Sequence, residues 1–546
     1  MLITLPSGEK KEYDHAITCR ELLPLFEQTK YPIVALRVNN EVQSLGNTLD
    51  VNAVVEPVYL NSDDGAAMYR RTLCLLLAAA AKKIYPDLRL LVGHSLAHGY
   101  YYTFENKGSV HVDLKKIEHE MRAMVAKDLP IQKKFMSSEE AQEFFSEKDQ
   151  PATFKLLNYI STPKFLITKL GEYQDLYFQP LLDKVGILKI FELLPYDDGF
   201  LLRFPKSQTP ATINKFKDIP KLFHIYKEYK AWGRLIGVSS VADLNELIET
   251  KKIDDYMEMC EIMQNNKIAQ LTADFQKHTN ARIILIAGPS SAGKTTFAKK
   301  LSLHLKVLAY NPVIISLDDF YLGEAYVPHD KNGKPDFECL EALDLALLNQ
   351  ILLDLMDGKE VNLPLYDFKT SSRRKETKKF RLPEKGILIL EGIHAINDKL
   401  TQKVSDELKY KIFLSALTQL NLDDHNRIPT SDNRLLRRIV RDAQFRGSSA
   451  AKTIEMWNKV REGENKYIFP FQNSADAFFN TALDYELPVL KSYAEPLLRR
   501  VKPSDREYNE ACRLLAFLKN FSPVMPKAVP GRSIVREFIG DSRFSY

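Results

Sequence analysis

The sequence predicts an α/β protein whose C-terminal half is built on a parallel sheet with flanking helices, preceded by a small β-rich unit and an α+β unit. Three observations carry this reading. Residues 282–287 are an apolar run of buried-strand type, followed by the glycine-rich stretch Gly288-Pro289-Ser290-Ser291-Ala292-Gly293-Lys294-Thr295-Thr296 and a segment with helical spacing to residue 306. Two further apolar runs, 312–317 and 386–390, each lead into acidic residues, as strands feeding a crevice do. The first sixty residues show short β-type runs separated by turn signals.

At 546 residues the chain is too long for one core, and ordinary domain sizes suggest about three to five units. A net charge of +5 is small against 76 basic and 71 acidic residues, so charge alone does not argue for nucleic acid. The five cysteines are far apart and form no C-x-x-C, which speaks against a disulfide framework or a thiolate zinc site and predicts a reducing, cytoplasmic setting. The most apolar run, 73–81, is far shorter than the ~20 residues that span a bilayer, so no membrane role is expected.

Taken in order, residues 1–62 read as strands at 2–5, 11–13, 33–38 and 54–60 with a helix at 19–28. Residues 63–204 follow as an α+β unit, 205–280 as a helical connector, 281–505 as the sheet domain, and 506–546 as a C-terminal helix and tail. His94 and His98 have the spacing of a zinc-binding helix, yet the run lies between β-type segments at 90–92 and 100–104, which predicts ordinary loop histidines. The runs Lys251-Lys252 and Asp254-Asp255 read as solvated faces.

The glycine stretch fits the phosphate-loop pattern G-x-x-x-x-G-K-[ST], in which backbone N–H groups and the helix N-terminus hold an anion. Lys294 would reach the β/γ-phosphates of ATP, and the Thr295 hydroxyl would bind Mg²⁺. Asp318 and Glu391, at the ends of the next two strands, are candidates for a base and a metal-shell carboxylate, the alternatives being an N-cap or a surface acid. Arg434, Arg438 and Arg441 share one helical face, either a lid over phosphates or a solvated stripe.

Residues 1–62 resemble the TGS domain, a β-grasp module, through residues 3–8 and the order of elements. Through the stretches 71–86, 93–104, 113–121 and 175–204, residues 63–204 resemble the second additional, editing-type domain of threonyl- and alanyl-tRNA synthetases, where two helical histidines and a later Cys and His hold zinc. Those four positions fall at Arg71, Leu75, Tyr177 and Leu181, so the resemblance implies loss of zinc and of editing.

Residues 280–500 resemble the uridine kinase/phosphoribulokinase family of P-loop kinases, through Ser316-Leu-Asp-Asp-Phe-Tyr321, Pro364-Leu-Tyr-Asp-Phe368 with Arg373, Glu391-Gly-Ile393, the run from Arg434 to Gly447, and Tyr467-Ile-Phe-Pro470. The resemblance implies that Asp318 is the base and Mg²⁺ partner, that Glu391 completes the metal shell, and that the arginines form the lid, with Arg438 and Arg441 catalytic. Tyr366 and Phe368 would flank a nucleobase, with Tyr321, Phe337, Arg373 and Arg434 beside the substrate. There are two departures: Glu338 stands where uridine-cytidine kinases have a ribose-binding Asp, and Ser371 where they have a base-reading His.

The expectation is an ATP- and Mg²⁺-dependent kinase acting on a nucleoside 5′-hydroxyl. A second class, an RNA-binding or regulatory protein, rests on residues 1–204, and a third, a phosphoribulokinase-like sugar-phosphate kinase, is weakened by Tyr366 and Phe368, which suit a flat base.

Overall fold

The computed structural model describes residues 1–545 except 106, 107, 109, 331, 332, 368, 369 and 371. The N-terminal unit is a five-stranded sheet in the order Lys10–Glu12, Leu2–Thr4, Ala53–Tyr59, Ile33–Val38, Glu41–Ser44. Its central strand, Ala53–Tyr59, runs parallel to Leu2–Thr4. Ile3, Leu36 and Val55 pack on Cys19 and Leu22 of a crossing helix, the β-grasp arrangement. That helix is a 3₁₀ turn, Cys19–Leu25, rather than the expected helix to residue 28. Pro24 lacks the N–H that an α-helical turn needs there.

An α+β region follows. The long helix Asp63–Ile84, capped by the Ser62 hydroxyl, packs on an antiparallel sheet ordered Glu192–Tyr196, Gly199–Arg203, Gly99–Glu105, Arg89–Leu96. A second sheet pairs Ile131–Ser137, Lys164–Leu170 and Tyr173–Leu176. The next helices, Pro220–Ile236, Val241–Glu249 and Ile253–Gln276, do not hang between units. Tyr256, Cys260 and Ile268 of the third share one core with the following sheet, and Glu261 forms a buried ion pair with Lys300 at 3.0 Å. The charged runs beside them, 251–252 and 254–255, are exposed.

The C-terminal sheet is ordered Asn311–Ser316, Gly386–Glu391, Ile283–Ala287, Lys409–Ser415, Ala477–Asn480, and every neighbouring pair is parallel. Side chains alternate across it as the pleat requires. Ile284, Ile286, Ile389 and Ile412 face one core, while Ile283, Leu285, Leu388 and Phe413 face the other. Burial on both faces explains why these strands read as unbroken apolar runs. The chain leaves the central strand Ile283–Ala287 with neighbours on opposite sides, so a crevice opens beyond its C-terminal end. Among the described residues no helix is long and apolar enough to cross a membrane.

Candidate active site

The crevice begins with the loop after Ile283–Ala287. Ser291 and Gly293 both take left-handed backbone angles, with φ of 58° and 79°, which curl the chain so that successive amides turn inward. Gly288 passes so close to the neighbouring strand that an added Cβ would lie 2.7 Å from the Leu414 carbonyl oxygen. The helix Lys294–Val307 starts directly from this loop. The Lys294 ammonium donates to loop carbonyls, Gly288 at 3.2 Å and Pro289 at 3.3 Å, and so lies folded along the anion site.

Two carboxylates face it from adjacent strand ends. Glu391 closes its strand and is buried; Thr295 Oγ1 and Ser316 Oγ donate to its Oε1 at 3.1 and 3.2 Å. Asp318 sits on the 3₁₀ turn Leu317–Phe320, its N–H donating to Ser316 Oγ at 3.4 Å. Burial pushes both carboxyls up; Asp318 is pulled back by Lys294, Arg446 and Arg441, whereas Glu391, with Asp318 and Glu537 adding to the burial, reaches about 7. Two carboxylates and a hydroxyl beside a phosphate loop are a hard oxygen donor set of the kind Mg²⁺ prefers, and a pair held reluctant to ionise favours arrival of a cation.

The helix Thr430–Phe445, expected from the resemblance to form a lid, presents its arginine face inward, not to solvent. Arg434 donates to the Ser290 carbonyl at 2.9 Å, pairs with the buried Glu464, and lies over Trp457. Its observed bonds therefore hold the loop rather than reach for a substrate. Arg438 donates to Ser290 Oγ at 2.8 Å and pairs with Asp442 at 3.2 Å, and Arg441 also pairs with Asp442. Sequence reasoning passed over Arg437, which is fully buried and donates to Glu486 at 2.9 Å, the Ser291 carbonyl at 3.1 Å and the Thr481 carbonyl at 3.0 Å. It also passed over Glu464, whose carboxylate accepts from the Ser290 N–H at 3.0 Å. The available signal was an Arg one turn from Arg434 amid Leu435, Leu436, Ile439 and Val440.

On the acceptor side the Tyr321 ring packs edgewise on Phe337 and tilts against Tyr366, both centroids 5.9 Å away. Asp319, not singled out in the sequence, accepts from the Tyr366 N–H at 3.1 Å and so fixes that strand to the turn bearing Asp318. Arg373 spends its fork on the Phe320 and Tyr321 carbonyls and on Asp344, which makes it a clamp behind the aromatic wall. Glu338 abuts Gly463, and its carboxyl is pushed up to about 7 by burial against the opposing pull of Arg438. Phe368 and Ser371 lie outside the described residues. Thr296 does not face an open loop, because its N–H and hydroxyl both donate to Glu537.

In the N-terminal half the four positions at Arg71, Leu75, Tyr177 and Leu181 also come together. Leu75, Tyr177 and Leu181 are buried in one apolar core, and Arg71 donates to the Pro180 carbonyl at 2.8 Å. His94 corrects the loop expectation. It belongs to the strand Arg89–Leu96, is buried and stacked on Tyr226 at 5.6 Å, and desolvation pushes it down to about 3. His98 alone lies in the turn, at φ 62°. Among the described residues no three His, Cys, Asp or Glu side chains form a metal-holding group.

The parallel sheet, phosphate loop and inward lid define a P-loop kinase domain. Residues 283–487 match the model of the phosphoribulokinase / uridine kinase family. The N-terminal part is similar to threonine–tRNA ligases: 34% identical over 202 residues to that of Thermotoga maritima, covering 36% of this chain and 31% of that enzyme. Threonine–tRNA ligase 2 of Bacillus subtilis is 29% identical over 249 residues, covering 43% and 39%. The chain thus spans about a third of the length of these relatives. Among solved structures, a possible uridine kinase from Bacillus stearothermophilus aligns over 37% of this chain and 89% of its own at 19% identity, with a TM-score of 0.26.

Proposed function

We propose that the chain is an ATP- and Mg²⁺-dependent nucleoside kinase that transfers the γ-phosphoryl group to a nucleoside 5′-hydroxyl. The observation that carries this is the convergence of Lys294, Thr295, Asp318 and Glu391 on one strand-end crevice, with the aromatic wall of Tyr321, Phe337 and Tyr366 beside it. Thr295, Asp318 and Glu391 would hold Mg²⁺, which when bound neutralises charge on the transferring phosphoryl group. Lys294 binds the terminal phosphates and Arg441 adds positive charge near Asp318. Asp318 accepts the proton of the acceptor hydroxyl; its raised affinity for a proton suits a base that must take one in the transition state. Glu338 stands where uridine-cytidine kinases have a ribose-binding Asp, and Ser371 stands in place of an imidazole with a shorter group that both donates and accepts, so we infer a shifted or broader base preference.

The test is kcat/KM with ATP for uridine, cytidine, thymidine, 5-methyluridine, adenosine and inosine, in wild type and Ser371→His. No phosphorylation of any nucleoside, with turnover of a sugar phosphate, would move the assignment to the phosphoribulokinase side. A preference for uridine and cytidine above about a thousandfold, untouched by Ser371→His, would show that residue 371 does not read the base.

A second reading, RNA contact through residues 1–204, is favoured by the likeness of that part to threonine–tRNA ligases. Retention of tRNA on filters at low salt, lost steeply as salt rises, would support it, and equal retention of a non-basic control protein would remove it.

A further inference from the structure

The C-terminal segment returns to the phosphate loop. After the helix Tyr508–Leu518 the chain turns at Pro526–Ala528 and buries Ile534, Val535, Phe538 and Ile539 in the core that also holds the lid helix. Phe538 lies under the Arg437 guanidinium at 4.9 Å, and Ser533 Oγ is 2.9 Å from the Tyr485 hydroxyl. This anchorage delivers Glu537 to the start of the helix Lys294–Val307. Its Oε2 accepts from the Thr296 N–H at 2.9 Å and from Thr296 Oγ1 at 2.6 Å. On the same side Ile534 lies so near Gly293 that an added Cβ would come within 2.6 Å of its Cγ2, and Lys299 donates to the Ser545 carbonyl.

A helix N-terminal amide and an adjacent hydroxyl are anion donors, and a carboxylate satisfies them only by standing where a phosphate oxygen would. Asp318, Glu391 and Glu537 are three carboxyl groups gathered at the loop, close enough that Asp318 and Glu537 both raise the affinity of Glu391 for a proton. An incoming polyphosphate therefore meets a like charge in a place where water screens little. The two crevice carboxylates are in position to be offset by a divalent cation, whereas Glu537 is bonded to Thr296.

We propose that Glu537 is an internal competitor for the phosphate donor: the segment 530–545 straps the loop, and donor binding requires the Glu537 carboxylate to leave Thr296. This rests on the phosphate-loop reading given above. Donor affinity is then set by two anions contending for one set of donors, and any event that draws residues 533–540 away from the lid raises it.

The experiment is calorimetric binding of ADP with Mg²⁺ to the full-length chain in wild type, Glu537→Ala, Glu537→Gln and Lys294→Ala, with a thermal melt of each. Both Glu537 variants should bind ADP about tenfold more tightly, because the open fraction of the loop rises, and Lys294→Ala should bind more weakly than wild type. Unchanged or weaker ADP binding by both Glu537 variants, with Lys294→Ala weakened, overturns the proposal and leaves the phosphate loop standing. A lowered melting temperature without tighter binding likewise overturns it, since Glu537 would then only cap the helix. Unchanged affinity in Lys294→Ala removes the phosphate-loop reading and the proposal together. Should Glu537→Ala fail to fold, Glu537→Gln decides, because it keeps the volume and one acceptor oxygen.

Discussion

In the N-terminal half, Arg71, Leu75, Tyr177 and Leu181 stand at positions that the synthetase resemblance assigns to zinc ligands, and three of them are core side chains. In the C-terminal half, Lys294, Thr295, Asp318 and Glu391 stand at the positions the kinase resemblance assigns to chemistry, and all four are polar groups facing one crevice. Both regions keep their architecture, because a fold is held by apolar faces and strand pairing, not by the few groups at a site. At these positions Leu75, Leu181 and the Tyr177 ring fill the space as core, and the Tyr177 hydroxyl is buried with no hydrogen-bond partner among the described residues, a cost that the surrounding apolar packing offsets. Likeness of fold is therefore a guide to shape in both halves, and to activity only where the reactive groups remain.

The sharpest way to break this contrast is Lys294→Ala. Turnover should fall to background while the melting temperature stays within a few degrees, since the ammonium donates to the Gly288 and Pro289 carbonyls of the loop and is not part of the core; near wild-type activity would remove the phosphate loop from the mechanism. Asp318→Asn comes next, with kcat reduced about a hundredfold or more, the usual worth of a positioned base or metal ligand. An effect confined to KM would mark Asp318 as a binding group.

A third test concerns the seam between the halves. Arg89 donates through Nε to Asp424 at 2.9 Å, and the Asp424 carboxylate also caps the helix Pro151–Leu157 at the Ala152 and Thr153 amides. Arg89→Ala leaves that carboxylate short of a cation and should cost about 2 kcal/mol, read as a fall in melting temperature.

The same seam sets a pH dependence. Burial lowers the His425 imidazolium's affinity for its proton, but Asp175, 2.8 Å away, with Asp424 and Asp423, outweighs this and brings it up to about 9. Asp423 is pushed up to about 7 by burial and by Asp175 and Asp424; Tyr173, Gln150 and, through Asp424, Arg89 complete the surroundings. Both groups hold a proton more tightly when folded, so their contribution is full below the unfolded values and is lost as pH rises through the folded ones. For His425 that window runs from its ordinary 6.5 to about 9. Melting temperature should therefore fall by about 2–4 °C more between pH 7 and 9.5 in wild type than in His425→Gln.

The smallest expected effect is none at all: protein stripped of metal and reloaded with zinc should carry less than one equivalent, and His94→Ala should not change that figure. One tightly held zinc, lost in His94→Ala, would erase the difference between the halves.

Much of the sheet could be read in advance, because strands covered on both faces must be apolar throughout, and a glycine loop between such a strand and a helix leaves few alternatives. Asp318 and Glu391 were legible for the same reason, being fixed to strand ends. The partners that hold the loop were not. Glu464 reaches Ser290 across 174 residues and Glu537 reaches Thr296 across 241, and no local spacing encodes such pairings. Helical periodicity placed Arg434, Arg438 and Arg441 on one face but could not say that this face turns inward, since that depends on what packs above it. The shortened turn at Cys19–Leu25 was within reach, as Pro24 was in plain view.

The seam also bears on how the chain is made. Asp175 leaves the ribosome 250 residues before His425, a delay of roughly 10–50 s at ordinary rates of synthesis. The α+β unit can close its own core in that time, with Arg89 on Glu105 and Asp175 accepting from the Tyr173 hydroxyl, but the bonds from these two residues to Asp424 and His425 wait until residues 423–425 emerge. The nascent chain thus folds its α+β unit first, and docking through Arg89 and Asp175 follows synthesis of the fourth strand of the C-terminal sheet, Lys409–Ser415.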